Sequence, residues 1–195
     1  MQSDHHHEPA EPLNLALDRA NALLLVIDVQ ERLFKAMPEG AQAPLVKNLE
    51  ILIKAARRLA IPVVTSEQYP KGLGPTLPAL RELIPEAPLE KLEFSCGGNK
   101  AIARKILQSG RKQIIVAGME THVCVYQTVR DLSRGGFTVF LPQDAVISRT
   151  AENRQAGLAL CDKAGAVLTS TEATVFDLLG VAGTPEFKEL SPLLK

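Results

Sequence analysis

The sequence is poor in cysteine, in net charge and in long apolar runs. Its 195 residues include three widely spaced cysteines, an odd number that argues against a disulfide framework and favours a reducing, cytoplasmic location. Lys and Arg together number 22, as do Asp and Glu, so the net charge is zero and nucleic acid is not an expected partner. No apolar run approaches the roughly 20 residues of a membrane span, so a membrane is not expected either.

The first 20 residues also lack a regular apolar pattern. They are polar and contain proline, and we expect a flexible arm over residues 1–20 followed by a single domain over residues 21–195. The arm has neither an apolar signal core nor an Arg-rich amphipathic pattern, so we expect no targeting segment. Its His5-His6-His7 run lacks preorganised ligand geometry, and we do not interpret it as a metal site.

Short apolar runs alternate with helical patterns along the rest of the chain. Residues 22–27 are apolar throughout, which is typical of a strand covered on both faces of a parallel sheet. Further strands are predicted near residues 61–64, 89–92, 113–117, 137–141 and 166–168. This alternation predicts an α/β fold with three layers, a mostly parallel, six-stranded sheet covered by helices on both faces.

The segment EQYPKGLGPTLP, residues 67–78, is rich in proline and glycine and predicts a loop. Long loops in compact domains are commonly functional. Tyr69 and Lys71 are therefore candidate substrate contacts, with simple surface packing as the alternative.

The segment IIVAGMETHVCV, residues 114–125, predicts a buried strand, a tight turn and a cysteine at the start of a helix. Cys124 would then lie near unpaired backbone N–H groups and the positive end of the helix dipole, which favour thiolate and a lowered thiol pKa. The alternative is a buried structural cysteine, the commonest role of this residue type.

Two other reactive side chains follow predicted strands. Asp28 comes after the first strand and Lys91 ends the third. Because the carboxyl ends of parallel strands share one edge of the sheet, we expect Asp28, Lys91 and Cys124 to meet there. A carboxylate can take the thiol proton, an ammonium can stabilise the thiolate, and the thiolate can attack a carbonyl to form an acyl-enzyme. Backbone N–H groups of the turn before Cys124 are the natural oxyanion hole.

Four segments carry a resemblance: LLLVIDVQ at 23–30, KLEFSC at 91–96, VAGMETHVCV at 116–125 and LPQDAVISR at 141–149. They resemble the isochorismatase-like cysteine hydrolases, and the resemblance extends over about residues 22–180. The EQYPKGLG segment at 67–74 looks most like the isochorismatase domain-containing subgroup. The resemblance implies a doubly wound α/β/α sandwich and a catalytic triad of Asp28, Lys91 and Cys124. It also implies a cis peptide between Met119 and Glu120, and oxyanion donors from the amides of Glu120 and Cys124.

Departures from relatives within this family narrow the expected activity. Nicotinamidases carry an Asp and histidines after the second strand that hold a metal, whereas residues 65–78 contain neither residue type, so we expect no metal and no cofactor. True isochorismatases need no cysteine at position 124. The thiol therefore favours hydrolysis of an amide-type C–N bond in a small molecule, with ether hydrolysis and a catalytically vestigial scaffold as alternatives.

The expected substrate pocket is lined by Gln30, Phe34, Tyr69, Met119 and His122. His122 could act as a base, but Asp28 is available for that role and we interpret the histidine as a structural or rim residue. Cys96 and Cys161 are interpreted as packing residues. Because relatives of this fold commonly assemble so that neighbouring subunits complete the pocket, we expect a homo-oligomer.

Overall fold

A computed structural model describes residues 15–195 of the chain. Seven strands form one parallel sheet, in the order β3-β2-β1-β4-β5-β7 with β6 beside β4. The strands are β1 Ala22–Ile27, β2 Val63–Gln68, β3 Leu89–Lys91, β4 Gln113–Met119, β5 Thr138–Pro142, β6 Val146–Ile147 and β7 Val167–Thr169. The predicted α/β fold is confirmed. The sheet has one strand more than predicted, because the two-residue β6 pairs with the end of β4.

Nine α-helices connect and flank the strands within the described residues. They are α1 Glu31–Phe34, α2 Glu39–Arg58, α3 Pro70–Leu73, α4 Pro78–Arg81, α5 Lys100–Gln108, α6 Tyr126–Arg134, α7 Ala151–Lys163, α8 Thr171–Leu179 and α9 Pro185–Leu190. A π-helical turn, Thr121–Val125, leads into α6, and 3₁₀ turns occupy Gln143–Ala145 and Ser191–Leu194. None of the helices in this part of the chain is long and apolar enough to cross a lipid bilayer.

The sheet separates two hydrophobic cores, and β1 contributes to both. Successive side chains of a strand point to opposite faces, so Leu24 and Val26 pack with α2 and α8 while Leu23, Leu25 and Ile27 pack with α5, α6 and α7. Every residue of β1 is buried, which explains its continuous apolar sequence. The carboxyl end of β1 is thus held rigidly from both sides.

Two residues of the predicted arm hydrogen-bond the domain. The backbone N–H of Leu17 donates to Asp177 Oδ2 at 2.6 Å, and that of Asp18 donates to Gln113 Oε1 at 2.7 Å. The division into an arm over residues 1–20 and a domain over residues 21–195 stays a prediction. Residues 1–14, which include His5-His6-His7, lie outside the described residues.

The predicted loop over residues 67–78 is also more regular than expected. Glu67 and Gln68 belong to β2, and two short helices each begin with a proline, at Pro70 and at Pro78. Proline suits the first position of a helix because its missing N–H would be unpaired there. The carboxylate of Glu67 accepts from both the backbone N–H and the hydroxyl of Thr76, each at 2.7 Å, and folds this segment back onto the sheet.

Candidate active site

Asp28 lies directly after β1, with a left-handed backbone φ of 52° and a fully buried side chain. Its Oδ1 accepts a hydrogen bond from the Ser66 hydroxyl at 2.8 Å, and its Oδ2 accepts from Lys91 Nζ at 2.6 Å. Both oxygens therefore face donors, which is the environment that stabilises an ionised carboxylate.

Lys91 lies at the end of β3, and its ammonium has three acceptors. Nζ donates to Asp28 Oδ2, to Gln68 Oε1 at 2.7 Å and to the carbonyl oxygen of Phe94 at 3.0 Å. A neutral amine has only two hydrogens, so three acceptors fit the protonated form. Burial lowers the pKa of Lys91, but the negative charge of Asp28 and the hydrogen bond to it have the larger effect, and the net pKa lies above its ordinary value.

Cys124 lies in the π-helical turn after β4, and only 6% of its surface is exposed. Burial raises the pKa of its thiol, the charge of Asp28 and hydrogen bonding to Asp28 raise it further, and Lys91 only partly offsets them. The prediction of a lowered thiol pKa was therefore wrong. Burial and an adjacent carboxylate outweigh the helix terminus, and the resting residue is a neutral thiol.

Cys96 is a second thiol in the same network, although we predicted only packing for it. It is fully buried, and its Sγ lies 3.4 Å from the Ser66 hydroxyl that donates to Asp28. Burial, followed by the charge of Asp28, raises the pKa of Cys96 to about 11. Sequence reasoning missed Cys96, Ser66 and Gln68 as neighbours of the ion pair. The only available signal was that Cys96 closes the KLEFSC segment that begins with Lys91.

Two glycines allow the backbone to approach closely around the cysteine turn. A Cβ at Gly118, whose φ is 121°, would lie 2.1 Å from the carbonyl oxygen of Ile27. A Cβ at Gly157 in α7 would lie 2.7 Å from the backbone nitrogen of His122 and 2.8 Å from the carbonyl carbon of Thr121. Gly118 brings β4 against the end of β1, and Gly157 brings α7 against the turn.

The segment after β5 runs alongside the same turn. Ile147 pairs with Met119, and the peptide bond between Met119 and Glu120 is cis. Glu120 Oε2 accepts from the backbone N–H of Arg149 at 3.0 Å and from its Nε at 3.1 Å. His122 also contacts this segment, because its Nδ1 lies 3.0 Å from the hydroxyl of Ser148. That contact accords with a structural role for His122, and the oxyanion role of the amides of Glu120 and Cys124 stays a prediction.

Two predicted pocket residues are fully buried, and a third lines a separate groove. The fully buried amide of Gln30 hydrogen-bonds the backbone N–H and carbonyl of Gln68 and the carbonyl of Gly74, so it braces the segment after β2. Met119 is fully buried within the core. Phe34 lines a groove along α2. The role of these three residues in the substrate pocket stays a prediction.

Tyr69, in contrast, is 52% exposed and lines a cavity of about 440 Å³ along β3. Lys71, Glu90, Leu92, Glu93 and Asn99 also line this cavity, together with Lys91. The side chain of Lys91 is itself fully buried, so the cavity lies beside the ion pair rather than opening onto it. Tyr69 and Lys71 remain predicted substrate contacts.

The fold and the site together define a class of protein. It is a parallel α/β domain in which a thiol, a carboxylate and an ammonium lie together at the carboxyl ends of the strands. Within residues 15–195, no group of three or more His, Cys, Asp and Glu side chains is arranged to hold a metal ion. The isochorismatase domain model matches residues 22–173. The chain belongs to the isochorismatase family.

Similar proteins extend over nearly the whole chain. The secreted isochorismatase effector Isc1 of Phytophthora sojae is 36% identical over 183 residues, 90% of this chain and 85% of its own. Isochorismatase domain-containing protein 2 of Bos taurus is 35% identical over 178 residues, 90% of this chain and 83% of its own. A solved structure described as the MAR1 ribonuclease of Caenorhabditis elegans is 36% identical, with a TM-score of 0.84 and coverage of 92% of both chains.

Proposed function

We propose that this protein is a cysteine hydrolase that cleaves an amide-type C–N bond in a small molecule, without a cofactor. The observation that carries the proposal is the set of three acceptors around Lys91 Nζ. They favour the ammonium form of Lys91, which in turn supports an ionised Asp28 beside the neutral thiol of Cys124. A free base next to a protonated nucleophile is the resting state that general-base activation needs.

In the first half of the proposed reaction, Asp28 accepts the proton from Sγ of Cys124. The sulfur electron pair forms a bond to the carbonyl carbon of the substrate, and the carbonyl π pair moves to oxygen. The backbone amides of Glu120 and Cys124 donate to this oxyanion. Lys91 stabilises the thiolate as it forms, because its ammonium charge is fixed next to Asp28.

In the second half, the proton held by Asp28 passes to the leaving nitrogen, and the C–N bond breaks to leave a thioester on Cys124. Water then attacks the thioester while Asp28 accepts its proton. The C–S bond breaks, the carboxylic acid product leaves, and Asp28 returns the proton to the sulfur. Each turnover thus consumes one water molecule and restores both residues without any oxidant or reductant.

The test uses two buried cysteines that differ in their surroundings. Cys124→Ala should abolish turnover of a small-amide library, and intact-protein mass spectrometry of the parent protein should show an acyl adduct on Cys124. Cys161→Ala is the matched control, because burial alone raises the pKa of Cys161 to about 12 and no charged group of the site acts on it. Full turnover by Cys124→Ala would reject the thiol as the nucleophile.

The same panel separates the alternatives. It includes the vinyl ether isochorismate and, because the solved relative from C. elegans is described as a ribonuclease, a short RNA. Cleavage of the ether or the RNA, with no amide turned over, would replace the C–N proposal. A protein that turns over nothing and forms no adduct would be the vestigial scaffold.

We also propose a homo-oligomer, because large apolar side chains are exposed next to the site. Tyr69, Leu92 and Phe94 are 52%, 73% and 52% exposed. Light scattering should show a mass above that of one chain, and Leu92→Glu should reduce it. Leu107→Glu, at a position 62% exposed on α5, is the control that should leave the mass unchanged. A parent protein that scatters as a single chain would contradict the proposal.

A reducing, cytoplasmic location is supported by the state of the cysteines. Cys96, Cys124 and Cys161 are all free thiols. The Phytophthora relative is named as secreted, so localisation of the tagged full chain is the direct test. Recovery of the protein mainly outside the cell would reject this assignment.

A further inference from the structure

The carboxyl end of β2 contacts both members of the buried ion pair. Ser66 and Gln68 are two residues apart in this strand, so their side chains project from the same face of the sheet. The Ser66 hydroxyl donates to Asp28 Oδ1 at 2.8 Å, and Gln68 Oε1 accepts from Lys91 Nζ at 2.7 Å. One strand thus touches the carboxylate through one side chain and the ammonium through the next.

The direction of the hydrogen bonds at Ser66 follows from its partners. An ionised carboxylate can only accept, so the single hydroxyl hydrogen of Ser66 goes to Asp28. The thiol of Cys96, 3.4 Å from the Ser66 oxygen, then donates to it. All three residues are fully buried, so no water competes for these groups. The chain of donors ends on Asp28 and stabilises its negative form.

The orientation of Gln68 is determined in the same way. Its Nε2 donates to the carbonyl oxygen of Leu92 at 2.9 Å, which turns Oε1 toward Lys91. Its backbone is held by Gln30, whose Oε1 accepts from the Gln68 N–H at 2.7 Å and whose Nε2 donates to the Gln68 carbonyl at 3.0 Å. Gln68 therefore presents an acceptor to the ammonium in one fixed geometry.

We propose that Ser66 and Gln68 are positioning residues: Ser66 orients the carboxylate of Asp28, and Gln68 holds the ammonium of Lys91. This inference rests on the proposed function, in which Asp28 is the base. The titratable groups around Asp28 are Lys91 on β3, Cys96 in the segment before α5 and Cys124 in the turn after β4. Among these groups only Lys91 carries a charge at neutral pH. Loss of the Ser66 hydroxyl therefore removes a neutral hydrogen-bond donor from Asp28 and leaves the charge of Lys91 in place.

The first variant is Ser66→Ala, read by carboxyl ¹³C NMR of the full chain, with the Asp28 signal assigned by its absence in Asp28→Asn. Loss of a hydrogen bond to this carboxylate should move the Asp28 carboxyl signal at neutral pH. It should also lower kcat by about tenfold or more with little change in KM. Thr65→Val is the matched control, because the buried Thr65 hydroxyl on the same strand has no hydrogen-bond partner.

Two results would overturn the role of Ser66. One is an Asp28 carboxyl signal that has the same chemical shift in the parent and in Ser66→Ala. The other is a Ser66→Ala protein with the kcat of the parent. A shift of equal size in Thr65→Val would show a general effect of removing a hydroxyl from β2.

The second variant is Gln68→Met, which removes the acceptor but keeps the length of the side chain. The pKa of Lys91, followed by NMR of its labelled ammonium, should fall by about one unit or more, because burial is then less well compensated. We expect kcat to fall with little change in KM. An unchanged Lys91 pKa in Gln68→Met would overturn the role of Gln68.

The two proposals fail in different experiments. If Cys124→Ala keeps its turnover, the proposed function fails, while the NMR measurements still report on Ser66 and Gln68. If Cys124→Ala is inactive but neither NMR measurement changes, the proposed function stands and the positioning roles are rejected.

Discussion

Lys91 Nζ and Asp28 Oδ2 lie 2.6 Å apart, and neither side chain has any exposed surface. The two residues are 63 positions apart in sequence. Lys91 is the last residue of β3 and Asp28 directly follows β1, and β2 lies between these two strands in the sheet. The ion pair therefore reaches across the end of β2. Its geometry depends on a strand that contributes neither of the two charges.

The first prediction concerns the stability of this pair. Asp28→Asn or Lys91→Met leaves one buried charge without its partner, and each should lower the free energy of unfolding by about 3–5 kcal/mol. The double variant has no uncompensated charge, so its loss should be well below the sum of the two. Urea unfolding of the four proteins measures this coupling. Strictly additive losses would show that the two charges do not interact.

The second prediction concerns thiol reactivity. Burial and the charge of Asp28 raise the pKa of Cys124, so its alkylation by iodoacetamide should be slow at neutral pH and still increase above about pH 9, where an ordinary cysteine levels off. Asp28→Asn removes the negative charge and leaves Lys91, so the thiol pKa should fall. Alkylation at about pH 8 should then be faster, although turnover is lost.

Lys91→Met should have the opposite effect to Asp28→Asn, because it removes the charge that lowers the Cys124 pKa. Alkylation of Cys124 should become slower than in the parent protein. Cys161 serves as an internal standard in each digest, since no charge of the site acts on it. Slower alkylation in Asp28→Asn would show that the carboxylate does not set the thiol pKa.

The third prediction concerns Gly118. An alanine Cβ there would lie 2.1 Å from the Ile27 carbonyl oxygen, in a backbone conformation with φ of 121°. Gly118→Ala should cost about 3 kcal/mol or more of stability, or prevent folding, because overpacking adds to backbone strain. Gly136→Ala separates the two causes, because Gly136 has a φ of 79° but no atom within 4 Å of the place where a Cβ would lie. It should cost only about 1–2 kcal/mol, from strain alone. Equal losses in the two variants would contradict the steric account.

The fourth prediction compares two glycines in α-helices. Gly157→Ala places a methyl group 2.7 Å from the backbone nitrogen of His122, so α7 or the cysteine turn must shift. We expect lower stability and lower turnover. Gly40→Ala makes the same change in α2 with no atom within 4 Å, and should be neutral or stabilise by about 0.5–1 kcal/mol. A Gly157→Ala protein with full activity and unchanged stability would show that the turn tolerates displacement.

The hydrophobic pattern was sufficient to predict a strand whose side chains all pack in the core. The apolar run of β1 was predicted over residues 22–27, the same residues that form the strand in the structure. The pattern failed at β2, which was predicted to end at Val64 but continues to Gln68. The last three residues of β2 are polar, and their side chains hydrogen-bond other residues at the edge of the sheet. A hydrophobic pattern cannot identify a strand whose residues are polar.

Residue pattern alone was enough to predict that an acid, an amine and a thiol lie at one edge of the sheet, because parallel strands bring their carboxyl ends to the same edge. The folded structure was needed to establish the protonation state of Cys124, the contacts made by Ser66 and Gln68, and the burial of Gln30 and Met119. The protonation state, the contacts and the burial all depend on distances and on solvent exclusion among residues far apart in the chain. A local pattern of residue types contains neither kind of information.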